Sequence, residues 1–155
     1  YSYEPDVLEK LTVEQVVTDD GVIISEDNTI KEVREWLDKE EVYKVNYFII
    51  SSSEGEYRGI LSSSNLLSNH HSQDSQIGTL IKRNSVYIGQ SDTLRTAVET
   101  MAKENIDVLP VVSTQNANVI GILSYHDIIA TYSHGIDEHD PPAGSPERRP
   151  EPRRS

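Results

Sequence analysis

Two stretches of this chain repeat each other at an almost constant spacing, and an internal repeat restricts the fold more than any local motif can. In the first copy Val22-Ile23-Ile24 is followed by Asn28-Thr29-Ile30; Val86-Tyr87-Ile88 and Asp92-Thr93-Leu94 stand 64 residues further on. Asn46-Tyr47-Phe48-Ile49-Ile50 matches Val108-Leu109-Pro110-Val111-Val112 at an offset of 62, and Gly59-Ile60-Leu61-Ser62 matches Gly121-Ile122-Leu123-Ser124 at the same offset. Two residues are lost between the first helix of the copy and its next strand, and the remainder keeps register.

Each copy reads as strand, helix, strand, strand, helix, which predicts a mixed α/β (α+β) fold. Ile30, Val33 and Leu37 recur at helical spacing in one copy, and Leu94, Ala97, Val98 and Met101 in the other, so each helix has one apolar face to bury. Asn28 and Asp92 are the expected N-caps. Val45 to Ile50 and Val108 to Val112 are too continuously apolar to be half exposed and predict covered strands. Polar turns at Ser51 to Gly55 and Ser113 to Asn118 then lead into the third strands. One copy of about 50 residues is a marginal folding unit, so the two are expected to pack through their small sheets around a shared core. Leu11 to Val17 and Ile77 to Ile81 are expected to form short helices lying across the pair.

With 14 Lys and Arg against 26 Asp and Glu, the chain carries a net charge of -12, which excludes a nonspecific grip on a nucleic acid backbone. There is no cysteine, and therefore no disulfide, thiol nucleophile or cysteine-ligated zinc. The longest aliphatic stretch is Val108 to Val112, far short of the ~20 residues of a membrane span. No basic segment followed by an apolar one opens the chain, so no secretory signal is visible. A start at Tyr1 rather than Met is what a fragment or processed product would show. Pro141 to Ser155 contains five prolines, four arginines and two glutamates, and its net charge of +2 leaves -14 on the rest. Having almost nothing to bury, it is expected to be disordered.

Ser124-Tyr125-His126-Asp127 stands where an apolar strand ends and an apolar-periodic helix begins. A phosphate can sit at such a helix start, and a carboxylate one turn later can accept hydrogen bonds from the vicinal hydroxyls of a ribose. The same residues also make an ordinary capping box. The first copy has Ser62-Ser63-Ser64-Asn65 there, losing the charge, so the two sites are expected to differ in affinity. His70, His71, His134 and His139 form no set with metal-ligand spacing. Glu40-Glu41 and Asp19-Asp20 read as solvated charge, and Trp36 and Met101 as core or interface residues by helical spacing. No nucleophile, metal set or coupled acid–base group supports catalysis.

Ile106 to Val112 followed by Val119-Ile120-Gly121-Ile122-Leu123-Ser124-Tyr125-His126-Asp127-Ile128-Ile129 closely resembles a CBS domain, the unit named for cystathionine beta-synthase. With residues 21–70 as a degenerate first repeat and 85–135 as the second, the chain resembles a CBS pair, or Bateman module. Residues 1–20 then form the lead-in segment, 71–84 the linker, and 136–155 an acidic, then Pro/Arg-rich tail. The resemblance implies adenine nucleotide (ATP, ADP or AMP) as a regulatory ligand in clefts crossed between the repeats. One cleft would use Ser124, Asp127, Ile122 and His126 with Gly21, Val22, Lys44 and Val45. The weaker one would use Ser62 and Asn65 with Ser85, Val86, Ile106 and Asp107. Leu11 to Val17, Asn46 to Ile50 and Leu123 to Tyr132 further resemble the cytosolic carboxyl-terminal part of chloride channel or transporter proteins, especially prokaryotic ones. That resemblance implies a soluble, non-catalytic regulator on the cytoplasmic side of the membrane, covalently attached to a channel or transporter domain and dimerising through its CBS pairs. The alternative is a structural dimerisation module with vestigial pockets.

Overall fold

The computed structural model describes residues 5–40, 45–68, 70–84 and 86–136. Most of the predicted tail lies outside these residues. The first repeat contains β1 (Ile23–Ser25), α2 (Ile30–Lys39), β2 (Tyr47–Ser51), β3 (Tyr57–Ser62) and α3 (Ser63–Leu66), following α1 (Pro5–Lys10). The second contains β4 (Ile88–Gly89), α4 (Leu94–Glu104), β5 (Val108–Val112), β6 (Val119–Ser124) and α5 (Tyr125–Ile136). Each repeat builds a three-stranded sheet, in the orders β1-β2-β3 and β4-β5-β6. In both, the first pair is parallel and the second antiparallel, and Phe48↔Leu61 and Leu109↔Leu123 occupy matching positions in the register. The mixed α/β architecture predicted from the repeat is therefore the one observed.

Helix starts depart from expectation by one residue. Thr29 Oγ1 accepts the Glu32 N–H at 3.1 Å while the Glu32 carboxylate accepts the Thr29 N–H at 2.9 Å, a reciprocal capping box. Those bonds, the one from the Thr29 backbone foremost, hold the Glu32 carboxyl below its ordinary value. Thr93 caps α4 by accepting the Thr96 N–H at 3.2 Å. Asn28 and Asp92 instead serve the preceding turns: Asn28 donates its side-chain amide to Glu32 and Asp92 accepts from the Gly89 N–H. The rest of the helix pattern holds, with Ile30, Val33, Leu37, Leu94, Ala97 and Met101 all buried and Trp36 and Val98 partly buried at the core edges.

The segments expected to lie across the pair do so by exchange. In place of regular helices they form 3-10 turns, Val13–Gln15 and Ile77–Leu80. The first docks on the second repeat, where Val13 N–H donates to Asp92 O, Glu14 N–H to Gln90 O, and Leu94 N–H to Leu11 O. The second docks on the first repeat with the same pattern 64 residues later: Ile77 to Asn28, Gly78 to Glu26 and Ile30 to Ser75. Further along, Thr18 bridges Ile122 at the edge of β6, and Arg83 bridges Ile60 at the edge of β3. Gly121 is what admits the first of these, since a Cβ there would run into the Thr18 carbonyl; at Gly59 it would run into the Ile81 side chain.

The expected single shared core is replaced by two. Val13, Val16 and Ile60 join the second repeat's cluster around Leu109, Leu123 and Ile128. Ile77 and Leu80 join the first repeat's cluster around Phe48, Ile50 and Leu66. Each small sheet is thus covered by its own helices and a borrowed segment, which leaves Ile60 as the buried residue reaching across. The hairpin tips complete the join: Glu56 bridges Asn118, Tyr57 N–H donates to Ala117 O, and Val119 N–H donates to Gly55 O. Gly55 and Ala117, 62 residues apart, both have positive φ, at 91° and 63°.

Candidate functional site

A cavity of about 230 Å³ lies between the repeats. Its lining brings together six of the eight residues expected for the stronger site, Gly21, Val22 and Val45 from one repeat and Ile122, Ser124 and His126 from the other. Ile122 lies directly over Gly21, where a Cβ would meet its Cγ2 at 2.5 Å. Lys44 is outside the described residues. Asp127 is not among the lining residues; it sits one turn into α5, where its N–H donates to Ser124 Oγ at 3.0 Å.

The lining also contains residues that the motif did not single out for this site. Buried Ile49, Ile60 and Pro110, with Val22, supply an apolar floor. Exposed Asp20, Asn46, Asp107 and His126 supply a polar rim. Apolar enclosure with few orienting polar groups is the usual constitution of a small-molecule site. The signal for the floor was present in the strand patterns, since alternate residues of β2, β3 and β5 must face inward.

The start of α5 is more fully used by the protein than the motif implies. Tyr125 N–H donates to Asp107 O at 2.9 Å and Asp127 N–H to Ser124 Oγ, so two of the first three helix amides have partners within the chain. The start of α3 is built alike, through Ser63 N–H to Asn46 O and Asn65 N–H to Ser62 Oγ at 3.1 Å.

The residues expected for the weaker site do not gather into an equivalent cavity. Ser62, Ile106 and Asp107 line a wide cleft of about 720 Å³, along with Ser63, Ser64 and Tyr125. Asn65 and Val86 are not in its lining, and Ser85 is outside the described residues. The Asn65 side-chain oxygen is engaged by His71 Nε2 at 2.9 Å. The Val86 carbonyl accepts the Tyr57 hydroxyl at 2.7 Å, and the Tyr57 ring meets Tyr87 edge to face at 5.5 Å. Burial pushes the Tyr57 hydroxyl well above the ordinary phenol value.

Among the described residues there is no group of three or more side chains suited to hold a metal ion, and no helix long and apolar enough to cross a membrane. A family model described as CBS domain matches residues 77–134. A homoserine O-acetyltransferase from Methanocorpusculum labreanum is 29% identical over 117 residues, covering 76% of this chain; the chain spans only 23% of that relative's length. The cytosolic domain of a Mg2+ channel in complex with ATP superposes with a TM-score of 0.67 at 20% identity, over 81% of this chain and 51% of that one. A CBS-pair protein from Arabidopsis thaliana, in complex with AMP, superposes with a TM-score of 0.65 at 18% identity, over 82% and 98%. A CBS-matching second repeat, a first repeat of the same topology and agreement with paired CBS structures together give this chain the fold of a CBS domain pair.

Proposed function

We propose that the chain is a non-catalytic regulatory module that binds an adenine nucleotide between its two CBS repeats, at 21–70 and 85–135, and modulates an attached chloride channel or transporter from the cytoplasmic side of the membrane. The observation that carries this reading is the cavity walled by Gly21, Val22 and Val45 on one side and Ile122, Ser124 and His126 on the other. A ligand there touches both repeats, so binding that favours one relative geometry shifts its population and is felt wherever the repeats attach. Asp127 is assigned to the ribose hydroxyls, and the apolar floor to the adenine. The ATP and AMP complexes of the structural neighbours support the ligand class, and the Mg2+ channel domain supports a transport partner. Chloride is chosen on the resemblance of Leu11–Val17, Asn46–Ile50 and Leu123–Tyr132 to that transporter family.

Calorimetric titration with AMP, ADP and ATP tests the reading. Saturable binding is expected, weakened at least tenfold by Asp127→Ala with an unchanged circular dichroism spectrum; unchanged affinity would remove Asp127 from the site. A second reading, a dimerisation module with vestigial pockets, is favoured by Leu67, Tyr125 and Ile129, large apolar side chains left 57%, 45% and 43% exposed on and beside α3 and α5. A persistent dimer with no response to any nucleotide would select it.

A further inference from the structure

We infer that the cavity between the repeats selects an adenosine ligand with no negative charge at its 5′ end, ranking the nucleoside above AMP and AMP above ATP. The inference rests on the reading that this cavity takes an adenosine ligand, and it adds what the pocket demands of the ligand's charge.

Three observations carry it. First, at about 230 Å³ the cavity falls below the ~300–1,000 Å³ of pockets that enclose a whole drug-sized ligand, so it accommodates base and sugar and leaves the 5′ substituent at the mouth. Second, the mouth is acidic. The buried floor is apolar, while the exposed rim carries Asp20 and Asp107 with His126, and no arginine or lysine is among the described lining residues. Nearby basic side chains are engaged elsewhere: Arg83 with Glu104, Arg58 with Glu26 and Glu56. Third, the helix start that would receive a phosphate is largely spent. Of the first three amides of α5, Tyr125 N–H is given to the Asp107 carbonyl and Asp127 N–H to Ser124 Oγ. A phosphate at this mouth would lose water, face carboxylates across a partly desolvated rim, and find few donors in return.

The test is calorimetry at low ionic strength with adenosine, 5′-amino-5′-deoxyadenosine (cationic at neutral pH), AMP and ATP. The expected order is the ammonium nucleoside tightest, then adenosine, then AMP, with ATP at least tenfold weaker than adenosine. Asp107→Asn should narrow the gap between ammonium nucleoside and AMP at least threefold while leaving adenosine within twofold. Lys44→Ala should leave the order unchanged. AMP or ATP binding as tightly as adenosine, or an order reversed by Lys44→Ala, would overturn the charge selection while leaving the adenosine site standing. No saturable binding of any of the four, by calorimetry and by ligand-observed NMR, would instead overturn the adenosine site itself.

Discussion

The two crossed clefts descend from the same repeated elements and have come to differ in what their polar groups do. At one, Gly21 and Ile122 meet across the repeats over an apolar floor, and the space beside them stays open as a cavity. At the other, the corresponding segment is held by protein: Tyr57 donates its hydroxyl to the Val86 carbonyl, Tyr87 packs on its ring, and His71 takes the Asn65 oxygen. Duplication thus fixes a frame, and a few side chains decide whether a cleft remains available or is turned into a joint. A hydrogen bond satisfied inside the fold is unavailable to a ligand, and leaving it unmade in the fold would cost stability.

The largest effect that would sharpen this asymmetry comes from deleting residues 1–20. That removes Val13 and Val16 from the second repeat's core and nothing from the first. At about 1.5–3 kcal/mol per buried aliphatic side chain, the second repeat should lose about 3–6 kcal/mol. Trp36, the single tryptophan, sits against the first repeat's core, so its fluorescence should report a far smaller change than hydrogen exchange at Leu109 or Leu123. Equal loss in both repeats would show them to be one cooperative unit.

A smaller contrast separates the paired glycines. Gly121→Ala pushes a Cβ into the Thr18 backbone, whereas Gly59→Ala meets the Ile81 side chain first, with the Arg83 carbonyl at 3.2 Å. Overpacking against backbone should cost about 2–3 kcal/mol and against a movable side chain about 1 kcal/mol, measured as the shift in urea midpoint at constant slope. A reversed order would mean that the Thr18 bridge is the looser one.

Smallest is Tyr57→Phe, which strands the Val86 carbonyl and should cost about 1–2 kcal/mol. Its pH signature is more specific. The Tyr57 phenol is raised in the folded protein, so its protonated contribution is complete below the unfolded phenol value of about 10 and is lost as pH climbs beyond it. The substituted protein should therefore be less stable at neutral pH yet lose less on going alkaline. Parallel stability profiles for the two proteins would show that the hydroxyl is not held as described.

How much of this was legible in the sequence follows from how local each signal is. The repeat, its strand order and the buried helix faces rest on spacing within a dozen residues, and all were readable. The caps were displaced by one position because Asn28-Thr29 and Asp92-Thr93 each place two capping residues side by side, and only geometry shows which side chain faces the helix. The helix at Pro5–Lys10 went unread because its six residues carry little pattern beyond a proline at the first position and a lysine in the last turn. Gly21 and Ile122, 101 residues apart, were placed together through family resemblance. The exchange of docking segments and the Tyr57–Val86 bond had no comparable pattern to expose them, since each depends on residues 29 or more apart meeting in space.

Because the segment around Val13 and Thr18 belongs spatially to the second repeat, the chain cannot finish folding in the order in which it is made. The first repeat can close soon after its partner segment at Ile77–Arg83 leaves the ribosome. The first segment must wait for β6, about a hundred residues after its own synthesis, an interval of roughly 5–20 s at ordinary elongation rates. During that time Val13 and Val16 have no surface of their own, and whatever precedes them on the nascent chain remains untethered from the module until its last helix is being made.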